Sequence, residues 1–157
     1  MADRTDTPCD LMLFGALGDL AMRKLFPALY QLHRAGLLAA DTRILALARR
    51  GYSPPETRDI IREKLSQKLG SDGICPSALE DFLERVEYED LDFNSREGYA
   101  ALKRWREQGP PSNTLILYYA TPPGLYATIT GHLASLECCD DDTRVVVEKP
   151  IGHDLPS

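Results

Sequence analysis

The sequence predicts a single α/β domain, a doubly wound parallel sheet with helices on both faces. Three observations carry this expectation. Short apolar runs at residues 11–14, 43–48 and 114–120 read as buried parallel strands. Stretches with helical spacing of apolar residues separate them, in the alternation of βαβ units. No internal repeat, low-complexity tract or linker longer than the loop near 70–77 divides the chain.

From the N-terminus, residues 1–9 are polar, contain Pro8 and read as a flexible arm ahead of a domain at 10–157. Leu11 to Phe14 is a strand stopped by Gly15. Residues 24–36 have helical spacing, with Leu25, Leu29 and Leu32 as the apolar stripe and Gly36 at the C-cap. Pro27 lacks the amide that residue 23 would accept, so it belongs in a first turn; this puts the helix start near Lys24, with a looser turn before it. Residues 43–48 form the second strand, stopping at Arg49, Arg50 and Gly51. Ser53-Pro54-Pro55-Glu56 begins a helix whose stripe is Ile60, Ile61, Leu65 and Leu69. Cys75-Pro76-Ser77 begins another, with Leu79, Phe82, Leu83 and Val86 on one face. A short strand is expected within 86–93, then a helix near 95–108 carrying Tyr99, Leu102 and Trp105. Residues 114–120 are the strongest buried-strand signal. Pro122 and Pro123 lead into a helix with Tyr126, Ile129, Leu133 and Leu136, and Arg144 to Val147 is a last, β-branched strand.

Composition narrows the function classes. The chain has 157 residues, 43% of them hydrophobic, which is enough for one core. A net charge of −6 argues against nucleic acid or an anionic membrane as a partner. No apolar run approaches the roughly 18 residues of a membrane span, and the N-terminus lacks a secretory pattern. Cys9, Cys75, Cys138 and Cys139 form no C-x-x-C pair and no metal-like spacing with the three histidines. They read as reduced thiols of a cytoplasmic protein, with no metal site expected.

The first strand ends in Gly15-Ala16-Leu17-Gly18-Asp19-Leu20-Ala21. Glycines at a strand-to-helix turn let backbone approach a pyrophosphate, and the amides that follow point at its oxygens. Ala21 is small, as close helix–strand packing requires. The spacing is G-x-x-G-x-x-A rather than the commoner G-x-G-x-x-G, and a tight βα turn without a ligand remains an open reading. Position after the first strand favours the Rossmann-like, dinucleotide-binding one. The second strand ends in Arg49 instead of an acid. An acid there would accept from a ribose 2′-hydroxyl, whereas an arginine can fork onto a 2′-phosphate, so NADP is favoured over NAD. Arg50 stands beside it and Lys24 is near enough in sequence to reach the same phosphates; a solvated surface charge is the bland alternative for each.

These residues also carry a family signature. Leu13-Phe14-Gly15 through Asp19-Leu20-Ala21, then Arg23 to Tyr30 with its awkward Pro27, resembles the opening of glucose-6-phosphate dehydrogenases. The blocks Gly36-Leu37-Leu38 to Ala48-Arg49, Tyr119 to Pro123, and Arg144 to Gly152 continue the likeness across roughly residues 10–157. The resemblance implies an NADP-binding Rossmann domain, with NAD as a second option. It implies Gly15, Ala16, Leu17, Gly18, Asp19 and Leu20 around the pyrophosphate. Arg49 would clasp the 2′-phosphate with Lys24 as a second cation, and Ala120, Thr121 and Pro122 would lie along the ribose and nicotinamide. Glu148 would sit beside the nicotinamide, and Lys149 would contact it and the sugar phosphate. The Lys149–Pro150 peptide is a candidate cis bond. In a full-length, homo-oligomeric enzyme of the pentose phosphate pathway, the implied reaction is oxidation of glucose 6-phosphate at C1.

Two departures qualify the likeness. Leu17 stands where a smaller or polar residue is expected. The Asp-His-Tyr motif that supplies the family's general base is missing, and no catalytic residue is expected within a chain that reads as a piece of a longer enzyme. His33 and His132 fall in helices, at positions that are most often solvated, and His153 follows the Lys-Pro turn where the family needs no base. A sugar dehydrogenase of the glucose–fructose oxidoreductase type shares the Ala-Thr-Pro and Glu-Lys-Pro segments. The Gly18-Asp19-Leu20 triplet and the block from Arg23 to Tyr30 favour the first family. A non-catalytic nucleotide-sensing module is the third reading.

Overall fold

The computed structural model describes residues 8–49, 51–136 and 139–147. Strands β1 (Cys9–Phe14), β2 (Arg43–Ala48), β3 (Val86–Asp90), β4 (Thr114–Tyr119) and β5 (Arg144–Val147) form one parallel sheet in the order β3-β2-β1-β4-β5. Helices α1 (Phe26–Arg34), α2 (Pro54–Leu69), α3 (Pro76–Glu84), α4 (Tyr99–Gln108) and α5 (Tyr126–Ser135) connect them. Past Asp10 and Arg43, the central strands β1 and β2 are apolar at every position because both pleat faces are covered. Leu11, Leu13, Ile44 and Ala46 meet Phe26, Tyr30, Ile61, Leu65 and Phe82 of α1 to α3. Met12, Phe14, Leu45, Leu47, Leu117 and Tyr119 meet Tyr99, Leu102, Trp105, Ile129 and Leu133 of α4 and α5 on the other face. The chain thus winds outward from β1 to β3, crosses back to β4 and changes faces. The expected doubly wound sheet is the observed one, and its switch point lies between β1 and β4. In such sheets the loops leaving the two strands diverge and open a crevice.

The boundaries differ in four informative places. β1 begins at Cys9, within the stretch read as an arm, because the Cys9 amide reaches Thr42 Oγ1 at 3.4 Å and the Pro8 carbonyl accepts from Thr114. The helix after the glycine turn starts at Asp19, not Lys24, and passes through a π-helical turn, Ala21–Leu25, in which the Phe26 amide reaches back to the Ala21 carbonyl. Such a widened turn accommodates Pro27, which can neither donate to the carbonyl of Arg23 nor pack against it in a regular helix. Leu32 is 40% exposed: the buried stripe is centred on Phe26 and Tyr30, and Leu32 falls round its side. Val86, read as part of the apolar face of the helix after Cys75, lies beyond the end of α3 at Glu84 and opens β3 instead. Ser53 and Glu56 form a reciprocal capping box at the start of α2. Among the described residues no helix is long and apolar enough to cross a membrane.

The edge of the sheet opposite the crevice is tied by one carboxylate. Asp10 of β1 is fully buried and accepts from Arg43 Nε and Nη2 at 2.9 and 2.7 Å, from Arg106 Nη1 at 2.6 Å and from Asn113 Nδ2 at 2.9 Å. Arg43 also lies over the Trp105 ring, 3.9 Å from its centroid. Burial alone would raise the Asp10 pKa; the hydrogen bonds from Arg43, Asn113 and Arg106 outweigh it and hold the carboxyl below its ordinary value. Replacing Asp10 by Ala strands the largely buried guanidinium groups of Arg43 and Arg106 and should cost about 3–5 kcal/mol in urea unfolding. A carboxyl depressed by folding contributes stability above its unfolded pKa of about 3.9 and loses that contribution as pH falls through the folded value. Stability measured against pH should therefore fall more steeply on acidification in the wild type than in Asp10→Ala.

Candidate functional site

The switch point is built from bare backbone. At Gly15 the chain leaves β1 with φ +87°, a left-handed conformation that a side chain disfavours. The Gly15 and Ala16 amides both donate to the Leu47 carbonyl of β2, at 2.9 and 3.0 Å. On the other side, the Ala120 amide donates to the Phe14 carbonyl at 2.8 Å. A Cβ on Gly15 would stand 2.6 Å from the Ala120 carbonyl oxygen. The Gly18 amide closes the turn onto the Gly15 carbonyl at 3.0 Å, and the Gly18 carbonyl already accepts from Met22 at 3.1 Å. The helix therefore opens directly after the second glycine. Asp19 and Leu20, its first residues, have no carbonyl one turn back within the helix to receive their amides.

The residues read from the sequence as one phosphate cradle thus divide by task. Gly15 and Ala16 direct their amides into the sheet, and Ala16 is fully buried. Gly18 shapes the turn. Leu17, the departure noted above, packs its side chain on the α1–α3 core and is not among the residues lining the cleft. Asp19 and Leu20 hold the amides that remain at the helix N-terminus.

Above the turn lies a cleft of about 240 Å³, lined by Gly15, Gly18, Ala48, Arg49, Phe93, Ala120, Thr121, Pro122 and Leu125. Six of the thirteen residues named from the sequence line it (Gly15, Gly18, Arg49, Ala120, Thr121 and Pro122). Thr121 Oγ1 is buried with no hydrogen-bond partner among the described residues. The Arg49 side chain is 72% exposed, with Nη1 3.4 Å from Asp92 Oδ2. Lys24 is exposed on the π-helical turn and does not line the cleft. Arg50, Glu148, Lys149, the Lys149–Pro150 peptide and His153 lie outside the described residues.

Sequence reasoning missed Ala48, Phe93 and Leu125 on the wall, and Asp92 beside Arg49. The pairing Ala48↔Asp90 brings in Asp92 and Phe93, since it sets the residues after β3 next to those after β2, while Leu125 comes from the turn after β4. Phe93 is held at both ends: its carbonyl accepts from Tyr99 Oη at 2.8 Å, and its ring stands edge-on to Phe14 at 5.8 Å. Burial, then Tyr119 and Asp92, pushes the Tyr99 phenol upward, so it stays a neutral donor. The two described histidines are half-buried, each with one side against an aromatic ring. His33 stacks near Phe82 and is held below its ordinary pKa by burial and then by Arg85; His132 lies 4.7 Å from the Tyr99 ring. Neither lines the cleft. Cys9 and Cys75 are free thiols, and the described residues hold no cluster of three or more metal-ligating groups.

Comparison with known proteins places this geometry in a family. The sequence model of the glucose-6-phosphate dehydrogenase NAD-binding domain matches residues 12–157. The chain is 40% identical over 150 residues to glucose-6-phosphate 1-dehydrogenase of Gluconobacter oxydans, covering 94% of this chain and 30% of that protein. Against the Mycolicibacterium smegmatis enzyme of the same name it is 36% identical over 153 residues, 96% of this chain and 31% of the other. A solved glucose-6-phosphate dehydrogenase in complex with its substrate glucose 6-phosphate superposes with a TM-score of 0.81, at 32% identity over 98% of this chain and 33% of that one, and the glucose-6-phosphate 1-dehydrogenase of Mycobacterium avium with a TM-score of 0.82, at 28% identity over 94% of this chain and 31% of that one. The chain therefore spans about a third of the length of these relatives.

The close approach at Gly15 has a direct consequence for folding. Gly15→Ala combines a left-handed φ with a backbone clash and should destabilise the domain by roughly 1–3 kcal/mol. Gly18→Ala meets only the Gly15 carbonyl at 3.3 Å and should cost less. Urea unfolding of the two variants side by side measures the difference.

Proposed function

Because the chain belongs to the family of the glucose-6-phosphate dehydrogenase NAD-binding domain, we propose that its cleft holds NADP. The observation that carries this reading is the bare Gly15 turn at the switch point, with a guanidinium on the rim of the cleft above it. Two features support the fit. A Cβ at Gly15 would collide with the Ala120 carbonyl on the cleft's lining, and the buried Thr121 hydroxyl has no partner among the described residues, one that a ligand's polar groups would supply. The Asp19 and Leu20 amides would meet the pyrophosphate at the positive end of the helix. Arg49 would fork onto the 2′-phosphate, with Lys24 adding a second cation. Ala120, Thr121 and Pro122 would flank the ribose and nicotinamide, and Phe93 and Leu125 would exclude water from the wall. When bound, the nicotinamide is the hydride acceptor.

The proposal extends to the longer proteins of the family: oxidation of glucose 6-phosphate to the lactone in a cytoplasmic homo-oligomer. There Lys149 would bind the sugar phosphate and Glu148 would sit at the nicotinamide end. Val147 pairs with Tyr119 in register, so β5 leaves the sheet at the same edge from which Ala120 to Pro122 emerge. The described histidines supply no base, so proton removal falls to a group outside this chain's described residues. The net charge of −6 favours neither nucleic acid nor an anionic membrane as a partner.

Titration calorimetry of NADP and NAD into the wild type and Arg49→Ala tests the site. Loss of the guanidinium should weaken NADP by on the order of 1.5–3 kcal/mol and leave NAD nearly unchanged. No heat with either dinucleotide, together with an unshifted melting temperature, would overturn the reading.

A further inference from the structure

We propose that Asp92 sets the cofactor preference of this cleft: it occupies the Arg49 guanidinium and opposes a 2′-phosphate, so that NAD is accepted beside NADP. The inference rests on the dinucleotide reading above and adds a residue that the sequence motif does not contain.

Asp92 is fixed independently of Arg49. The Leu91 amide donates to the Ala48 carbonyl at 2.9 Å, and the Leu91 side chain is buried, which fastens the exit of β3 to the exit of β2. One residue later, Asp92 Oδ1 accepts the Asn94 amide at 3.1 Å and the Asp92 carbonyl accepts the Ser95 amide at 2.9 Å. This is an Asx-type turn, closed by the side chain on its own backbone. Phe93 inside the turn is held by Tyr99 and faces the cleft. With Oδ1 so engaged, Oδ2 is left toward Arg49 Nη1 at 3.4 Å.

Two consequences follow for a ligand on the rim. A 2′-phosphate that reaches Arg49 brings about two negative charges beside a carboxylate that the turn does not let swing away. A plain 2′-hydroxyl is instead a donor, and a carboxylate at that place is its natural acceptor. In many dinucleotide folds this acid stands at the end of the second strand. Here that place is Arg49, and the acid arrives from the end of β3 through the pairing Ala48↔Asp90. The site thus carries a guanidinium for one ribose and a carboxylate for the other.

The test is calorimetric titration of NADP and of NAD into wild type and Asp92→Asn, at low and at high salt. Asparagine keeps the Oδ1 acceptor for the Asn94 amide, removes the charge and replaces the Oδ2 acceptor with an amide donor. The ratio of Kd for NAD to Kd for NADP should rise roughly three- to tenfold in the variant, through tighter NADP and equal or weaker NAD. That rise should shrink at high salt, since the repulsion is partly solvent-exposed. Asp92→Ser, whose hydroxyl can also close the turn, should move the ratio the same way and serves if the first variant does not fold. An unchanged or lower ratio in a folded variant overturns the role of Asp92 while leaving the site intact. Absence of binding of both dinucleotides to the wild type overturns the dinucleotide reading and this proposal with it.

Discussion

At Gly15 the backbones of three strands meet with no room for a side chain. Two amides there converge on the Leu47 carbonyl of β2, and the Ala120 carbonyl after β4 occupies the place a Cβ would take. Everything that makes the crevice follows from that approach. The chain can turn at once into a helix because φ is positive, and the helix can start at the lip of the sheet because nothing projects from the turn. A larger residue would have to separate β1 from β4, and the switch point would lose both its packing and its floor.

The other edge of the sheet is organised by charge rather than by closeness. Asp10, Arg43, Arg106 and Asn113 form a buried network that ties the starts of β1 and β2 to the segment entering β4. Such a network is expensive to desolvate, and its members tolerate loss of a partner badly. It has no counterpart at the crevice edge, where the described cation, Arg49, is exposed and its acidic neighbour stands farther off. One edge of the sheet is therefore electrostatically closed and the other electrostatically open. A protein with a net charge of −6 can receive an anionic ligand because of local placement, not overall balance.

Local signals were the legible ones. The span of β2, the capping box at Ser53 and the start of α3 after Cys75 are fixed by neighbours a few residues away, and the sequence reading matches them. The glycine turn was legible as a turn, but its division of labour was not. Which amide goes to Leu47 depends on the register of β1 against β2, and that is a tertiary fact. The helix start was misread because a regular helix was assumed around Pro27, whereas the π-helical turn lets the proline sit well inside a continuous helical segment. Leu17 looked like a blemish in the motif because the motif says nothing about the core beneath it. Asp92 and Phe93 were invisible as site residues because only the β2–β3 pairing carries them to Arg49.

This contrast explains why dinucleotide recognition and dinucleotide choice separate in such a fold. Recognition of a pyrophosphate needs amides and space, which a short stretch of one chain segment supplies, so it survives as a motif. Choice between a ribose hydroxyl and a ribose phosphate needs side chains on the rim, and the rim is assembled from the ends of different strands. Arg49 follows the end of β2 and Asp92 the end of β3, and the two together set the charge at the rim. The Gly15 turn and the Arg49–Asp92 rim are held by different contacts, so a change at the rim need not disturb the turn.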